Sequence, residues 1–248
     1  DAPVTEQQLA QLYQQILQLE PAAQTRQKIQ YRLSQMQTAA LDKAEYSAEE
    51  EREQLQQLIA QYQQLLSQYP TDPNNELIRY QLARSYDLLG LQQQCLEQLE
   101  LFLQQYPESG FAPEVWFRKA DIHYSRSHYA DALDAYLQVL DSKVTELVQH
   151  ARYMSGWSYF KLQQFEQADE QFLRVLDQGY SGYLADAGLQ QSLQQEVLRT
   201  LSVSLSYQQQ GDSLQALLRR VPYYQAERPL ELVETLYRAL AQFLAEKQ

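Results

Sequence analysis

Residues 113–140 read PEVWFRKADIHYSRSHYADALDAYLQVL, and the placing of small and large residues in this stretch decides the fold. Trp116, Ala120, Ala132, Tyr136 and Val139 fit two helices joined by a short turn, with Ala120 and Ala132 where the pair must come close. The same frame holds upstream in Leu82, Ala83, Tyr86, Gly90, Cys95, Leu99 and Pro107, and downstream in Gly156, Tyr159, Ala168, Phe172 and Val175. The small positions Cys95, Ala132 and Ala168 recur after 37 and 36 residues. A two-helix unit at that period is the signature of a helical solenoid. Ala83, Ala120 and Gly156 sit where a larger side chain would push the first helix (A) off the second (B), and Tyr86 and Tyr159 fill the gaps between small residues. Such a unit cannot bury its apolar face alone, so neighbours must stack.

These positions resemble the tetratricopeptide repeat (TPR), which carries Trp, a small residue, Ala, an aromatic and a small apolar residue in that register. The resemblance is strongest over 76–180 and implies an all-α, right-handed α–α superhelix of about 11–12 helices. The expected organisation is a single solenoid over 1–248. Residues 1–70 are degenerate N-terminal repeat helices, 76–180 three clear units, and 181–248 degenerate repeats of which the last is truncated, as if the natural chain continued.

Towards the N-terminus, Thr5 and Gln8 make a capping box opening a helix with Leu9, Leu12, Tyr13, Ile16 and Leu17 on one face, stopped by Pro21. The spacing Tyr13, Ile16, Leu17, Pro21 matches Tyr62, Leu65, Leu66, Pro70 and Leu99, Phe102, Leu103, Pro107, so this is the tail of a helix B. A second helix runs from about 22 to 44 with Ile29, Leu33 and Met36 on its apolar side and Tyr31 off it. Ser47 and Glu50 cap a third, which carries Leu55, Leu58, Ile59, Tyr62, Leu65 and Leu66. This unit is longer: the Pro21–Pro70 offset is 49, against 37 for Pro70–Pro107. The acidic run Glu49–Glu53 reads as a solvated first turn favoured by the helix dipole. Asp72-Pro73 reads as N-cap and first helical residue, and Pro113 as another start. Helices B should begin near Leu91, His128 and Gln164, the last ending at Gly179. Beyond it Gly182 and Gly188 interrupt a helix reaching Tyr207. Gly211-Asp212 resets a short helix with Leu214, Leu217, Leu218 and Val221, and Leu232 to Gln248 forms a last helix A with Leu236, Leu240, Phe243 and Leu244 inward.

The chain is acidic, with net charge -12 and pI about 4.7, which argues against nucleic acid as a partner. At 44% hydrophobic and 11% aromatic it is rich enough to bury a core, and with 7 Gly and 8 Pro it favours helix. No apolar run is long enough to span a membrane. One cysteine allows no internal disulfide. The start Asp-Ala-Pro-Val resembles an exported bacterial protein after signal cleavage.

No catalytic constellation emerges, and the expectation is a protein that is not an enzyme, without cofactor or metal. Gly179-Tyr180-Ser181-Gly182-Tyr183 lacks the closing Gly and the preceding strand of a nucleophile elbow. His123 and His128 are five apart and do not share a helix face, and His150 lies in another unit. Cys95 occupies a small packing position and reads as a buried, inert thiol.

The register instead directs Tyr80, Arg84 and Asp87, then Phe117, Asp121 and Tyr124, then Tyr153, Trp157, Phe160 and Lys161 from the A helices to a concave groove. Tyr80, Phe117 and Tyr153 repeat at one equivalent position, either as a binding ladder or as packing between neighbouring A helices. Exposed aromatics there supply rigid apolar area for gripping a helix or an extended peptide. TPR modules that bind chaperone C-termini carry a Lys, Asn and Arg carboxylate clamp at these positions. Aromatics stand here where the clamp has Asn, so a terminal carboxylate peptide is not the expected ligand. The helix B endings SQYPTD (67–72) and QQYPES (104–109) are similar to those of bacterial envelope TPR adaptors, the BamD-like and Tol-Pal-associated families. That resemblance implies a non-catalytic adaptor of the periplasm or outer membrane, otherwise of the cytoplasm, docking a protein or peptide within a larger envelope complex. The alternatives are a spacer or assembly segment of a larger TPR protein, and a cell-wall glycan-binding module using the groove aromatics.

Overall fold

A computed structural model describes residues 5–43, 46–142, 145–179, 187–223 and 227–247. The described residues form twelve α helices and no strand. In order they are α1 (Glu6–Gln18), α2 (Ala23–Lys43), α3 (Ala48–Gln68), α4 (Asn75–Leu88), α5 (Gln92–Gln105), α6 (Ala112–Ser125), α7 (Tyr129–Val139), α8 (Thr145–Lys161), α9 (Phe165–Gly179), α10 (Ala187–Ser206), α11 (Gly211–Arg220) and α12 (Leu230–Glu246). The fold is all-α, with A helices at α2, α4, α6, α8, α10 and α12 and B helices between them. The chain packs as two compact units, Asp1–Val115 and Trp116–Gln248.

In the first unit each helix packs on the next, from α1 through α5. Both expected capping boxes form, Thr5 with Gln8 and Ser47 with Glu50. The acidic start of α3 is exposed, and hydrogen bonds from Ser47 hold the Glu50 carboxyl below its ordinary range. The α3 stripe is buried at Leu55, Leu58, Ile59, Tyr62 and Leu65. Helix α1 buries none of its residues; Leu12, Ile16 and Leu19 remain exposed. Two expectations need correction. Tyr31 is not off the apolar side of α2 but buried, its hydroxyl donating to Asn75 Oδ1 at 2.6 Å. Asp72-Pro73 does not start α4, because the Asp72 carboxylate accepts the Asn74 N–H at 2.7 Å and holds a turn, so Asn74 becomes the N-cap.

In the second unit α7 packs on α8, α8 on α9, α9 on α10 and α10 on α12, with α11 against α9, α10 and α12. Ala120, Ala132, Ala135, Tyr136, Val139 and Ala151 form one buried cluster, and Ala168, Phe172, Leu173, Leu176, Leu201, Leu214 and Leu236 belong to a larger one. A buried bidentate pair fastens the segment after α11 to α9: Arg228 donates to both Asp177 oxygens at 2.7 Å and to the Val221 carbonyl at 3.1 Å. Gly182 and the Gly179–Tyr183 run lie wholly or partly outside the described residues, while Gly188 falls within the first turn of α10.

The three central A–B turns are built alike. Leu91, His128 and Gln164 donate their N–H to the carbonyl five residues back, on Tyr86, His123 and Tyr159, at 2.9 Å each. Gly90, Ser127 and Gln163 donate to Asp87, Tyr124 and Phe160. Those three residues have φ of 71°, 62° and 61°, so each turn is a Schellman motif with its left-handed residue at one register position. The motif brings together side chains five apart, the two histidines among them. Although they share no helix face, their rings lie 6.1 Å apart across the turn.

Two substitutions check this account. A Cβ at Gly156 would lie 2.5 Å from the buried Phe172 ring, so Gly156→Ala should destabilise by about 1–2 kcal/mol net, despite the better helix propensity of Ala. Gln163→Gly relieves a left-handed non-glycine residue and should stabilise by about 1 kcal/mol. Denaturant unfolding measures both.

Candidate functional site

The residues directed to the A-helix face divide into a buried seam and an open surface. Tyr80 on α4 is only 7% exposed. Its ring stacks on Phe111 at 4.8 Å, and its hydroxyl donates to Glu114 in the first turn of α6 at 2.5 Å. Tyr153 on α8 is 9% exposed and donates to Glu196 of α10 at 2.7 Å. Tyr31 is 4% exposed and ties α2 to Asn75 of α4 in the same way. Each is a tyrosine on one A helix donating to the next A helix, with the ring filling the space between them. Burial raises the Tyr31 and Tyr153 hydroxyl pKa values above the phenolic range, so these bonds are made by neutral donors at any physiological pH. Phe117 lacks the hydroxyl; it lies half-buried, edge-on to Tyr136 at 5.6 Å. The signal for Tyr31 was in the sequence, since the 49-residue offset of the first unit carries Tyr80 back to residue 31.

In the first unit the open part of this face holds Arg84, half-buried Asp87 and a cavity of about 230 Å³ lined by Ser34, Thr38 and Asp42 of α2, Tyr62 of α3, and Leu77, Ile78 and Gln81 of α4. Arg84 makes a two-pronged pair with Asp42 of the lining, at 2.8 and 3.2 Å. Tyr62 at its floor bonds Thr38 Oγ1 at 2.5 Å.

In the second unit Asp121 is exposed and accepts from the Tyr136 hydroxyl at 2.5 Å, and Tyr124 lies half-buried, edge-on to Tyr129 at 5.3 Å. Trp157 stands edge-on to buried Phe172 at 6.1 Å and to Phe160 at 5.6 Å. Phe160 in turn meets Phe165 at 5.4 Å and Tyr207 at 5.7 Å, and those two stack at an interplanar angle of 8°. The chain of rings thus runs from the core out to Tyr207, which is 63% exposed. Lys161 is exposed, and Lys247 Nζ lies 5.9 Å from the Tyr207 ring centroid. Phe165 and Tyr207 were missed in the sequence because they sit outside helix A, one opening α9 and the other just past α10.

A second, polar pocket of about 380 Å³ is lined by Glu166 and Asp169 of α9 and by Gln208, Gln209, Asp212, Ser213 and Arg220. Arg220 is engaged by the Glu166 carboxylate at 2.9 Å, and Gln208 donates to Asp169 at 2.6 Å. Asp169 is 2% exposed, and burial pushes its pKa up to about 6, against Ser204, Gln208 and Arg220, which lower it.

Comparison with known proteins agrees with this fold. The tetratricopeptide repeat family model matches residues 78–109 and 150–180. Among solved structures the chain is similar to the apo form of RapI, at 15% identity over 95% of this chain and 70% of that one, with a TM-score of 0.60. A MamA double mutant is similar at 14% identity over 87% of this chain and 95% of that one, TM-score 0.53. A tetratricopeptide repeat protein from Parabacteroides merdae shares 18% identity over 87% and 76% of the two chains, TM-score 0.51. No curated protein sequence matches. The chain therefore contains tetratricopeptide repeats and has the TPR-like solenoid fold. The finer resemblance to BamD-like and Tol-Pal-associated adaptors finds no support in these comparisons. Among the described residues no helix is long and apolar enough to cross a membrane.

Asp169 gives a pH test. With the folded pKa raised, its contribution to stability is intact below about pH 4 and is lost as pH rises through about 6. Asp169→Asn should therefore stabilise the protein at pH 8 by an amount on the order of 3 kcal/mol, with the gain shrinking towards pH 4.5. Thermal melts across that range measure it.

Proposed function

We propose that this chain is a non-catalytic interaction scaffold that docks a partner protein or peptide on the A-helix faces of its repeats. The observation that carries the reading is the aromatic patch of the second unit. Trp157, Phe160, Phe165 and Tyr207 are held in place by one another and by the core, so their exposed parts offer apolar contact area at little ordering cost. Lys247 near the Tyr207 ring and exposed Lys161, the residue after Phe160, in a chain of net charge -12, favour a segment carrying both apolar and acidic residues. In the first unit Arg84, Asp42, Asp87 and the cavity behind them supply a separate polar contact. The setting proposed for this docking is the bacterial envelope, periplasmic or outer-membrane-associated, within a larger complex. A second reading, an assembly segment of a longer repeat protein, draws on the burial of Tyr80 and Tyr153, which turns two rungs of the ladder to packing.

The test uses the chain as bait on an envelope fraction and then measures binding of the purified captured protein. Tyr207→Ser with Lys161→Glu should weaken binding by about tenfold or more, while Gln56→Glu on the exposed side of α3 leaves it unchanged. Equal affinities for all three would contradict the scaffold reading and favour the assembly segment.

A further inference from the structure

The A–B turn of the middle repeat collects three metal-ligating side chains that its two neighbours lack. His123 and His128 occupy the two Schellman positions whose side chains meet, and Asp131 stands three residues into α7 after His128, its N-cap. At that spacing an N3 side chain leans back over the N-cap, the geometry that capping boxes exploit. His123 Nδ1 and Asp131 Oδ2 are 4.0 Å apart, and one ligand atom from each of the three residues lies within 4.8 Å of the others. The equivalent positions are Tyr86, Leu91 and Gln94 in the preceding repeat and Tyr159, Gln164 and Gln167 in the following one. The turn closes equally well with those residues, so its geometry does not require two histidines and an aspartate.

We propose that His123, His128 and Asp131 form a binding site for a divalent transition-metal ion of the zinc class. Two imidazoles and one carboxylate suit zinc, cobalt, nickel or copper, and leave a fourth position for water or for a side chain of a docked partner. Calcium and magnesium, which take oxygen ligands, are poorly served. Zinc–ligand bonds of about 2.0–2.1 Å draw donor atoms closer than they now lie. The two outer residues can make that movement: His128 and Asp131 are exposed, while His123, with 15% of its side chain accessible, is the fixed point. The His128 side chain makes no cap hydrogen bond to α7, so nothing in the cap is lost when it turns to the ion. The Asp131 carboxylate also offsets the positive end of the α7 dipole, which would otherwise repel a cation. A bound ion would pin the end of α6 to the start of α7.

Chelator-treated protein is titrated at pH 7.5 with zinc by calorimetry and with cobalt by visible absorption. One equivalent should bind, with cobalt bands of a low-coordinate nitrogen and oxygen site. His128→Ala and Asp131→Asn should each weaken zinc by about tenfold or more. His150→Ala, which alters an exposed histidine on α8, should leave affinity unchanged. Circular dichroism of the variants without metal, matching the parent, separates loss of a ligand from loss of fold. No binding by the parent, or zinc affinity unchanged in His128→Ala, would overturn the proposal; the latter places the ion elsewhere and leaves His123 and Asp131 as neighbouring side chains of the turn.

Discussion

Two helices can lie against each other at short range only where neither presents bulk, and that constraint governs this chain. At Gly156 the approach is close: α8 offers bare backbone to the Phe172 ring of α9, where even a methyl group would collide. Ala83, Ala120, Cys95, Ala132 and Ala168 meet the same demand elsewhere and have no exposed surface. Over the three central repeats the demand returns every 36 or 37 residues. It also leaves large residues such as Tyr136 and Phe172 to fill the space on either side. Solenoid stability is a sum over such neighbouring contacts, so the tyrosines that bridge successive A helices belong to the same system.

The turns follow from that packing. A helix B that must lie against its own helix A has to reverse direction at once, and a left-handed residue followed by the five-back hydrogen bond does so. Gly90 fits that position without cost, whereas Ser127 and Gln163 accept a strained backbone to keep it. The same turn places residues five apart against one another, which is why a His–His pair invisible to helical periodicity is a neighbouring pair in space.

Sequence periodicity therefore carried the fold nearly whole: helices B begin within a residue of Leu91, His128 and Gln164, and both capping boxes form. What it missed depends on contacts between elements. The periodicity of α2 alone puts Tyr31 off the apolar face, yet its partner Asn75 lies on another helix. Asp72 satisfied a local rule for a helix start and was diverted by an Asx turn two residues long. For the site, the register places these residues on the A helices but does not separate seam from surface. Tyr80 and Tyr153 go inward, Trp157 and Phe160 remain part-exposed, and the rings that carry the patch outward, Phe165 and Tyr207, come from neighbouring elements.

Amide hydrogen exchange on the intact protein, resolved by helix, tests the account most directly. If close contact between successive helices holds the chain together, α8 and α9, with Gly156 seated on Phe172, exchange slowest, and α1, which buries none of its residues, exchanges fastest. Uniform protection along the chain, or α8 and α9 exchanging as fast as α1, would contradict it.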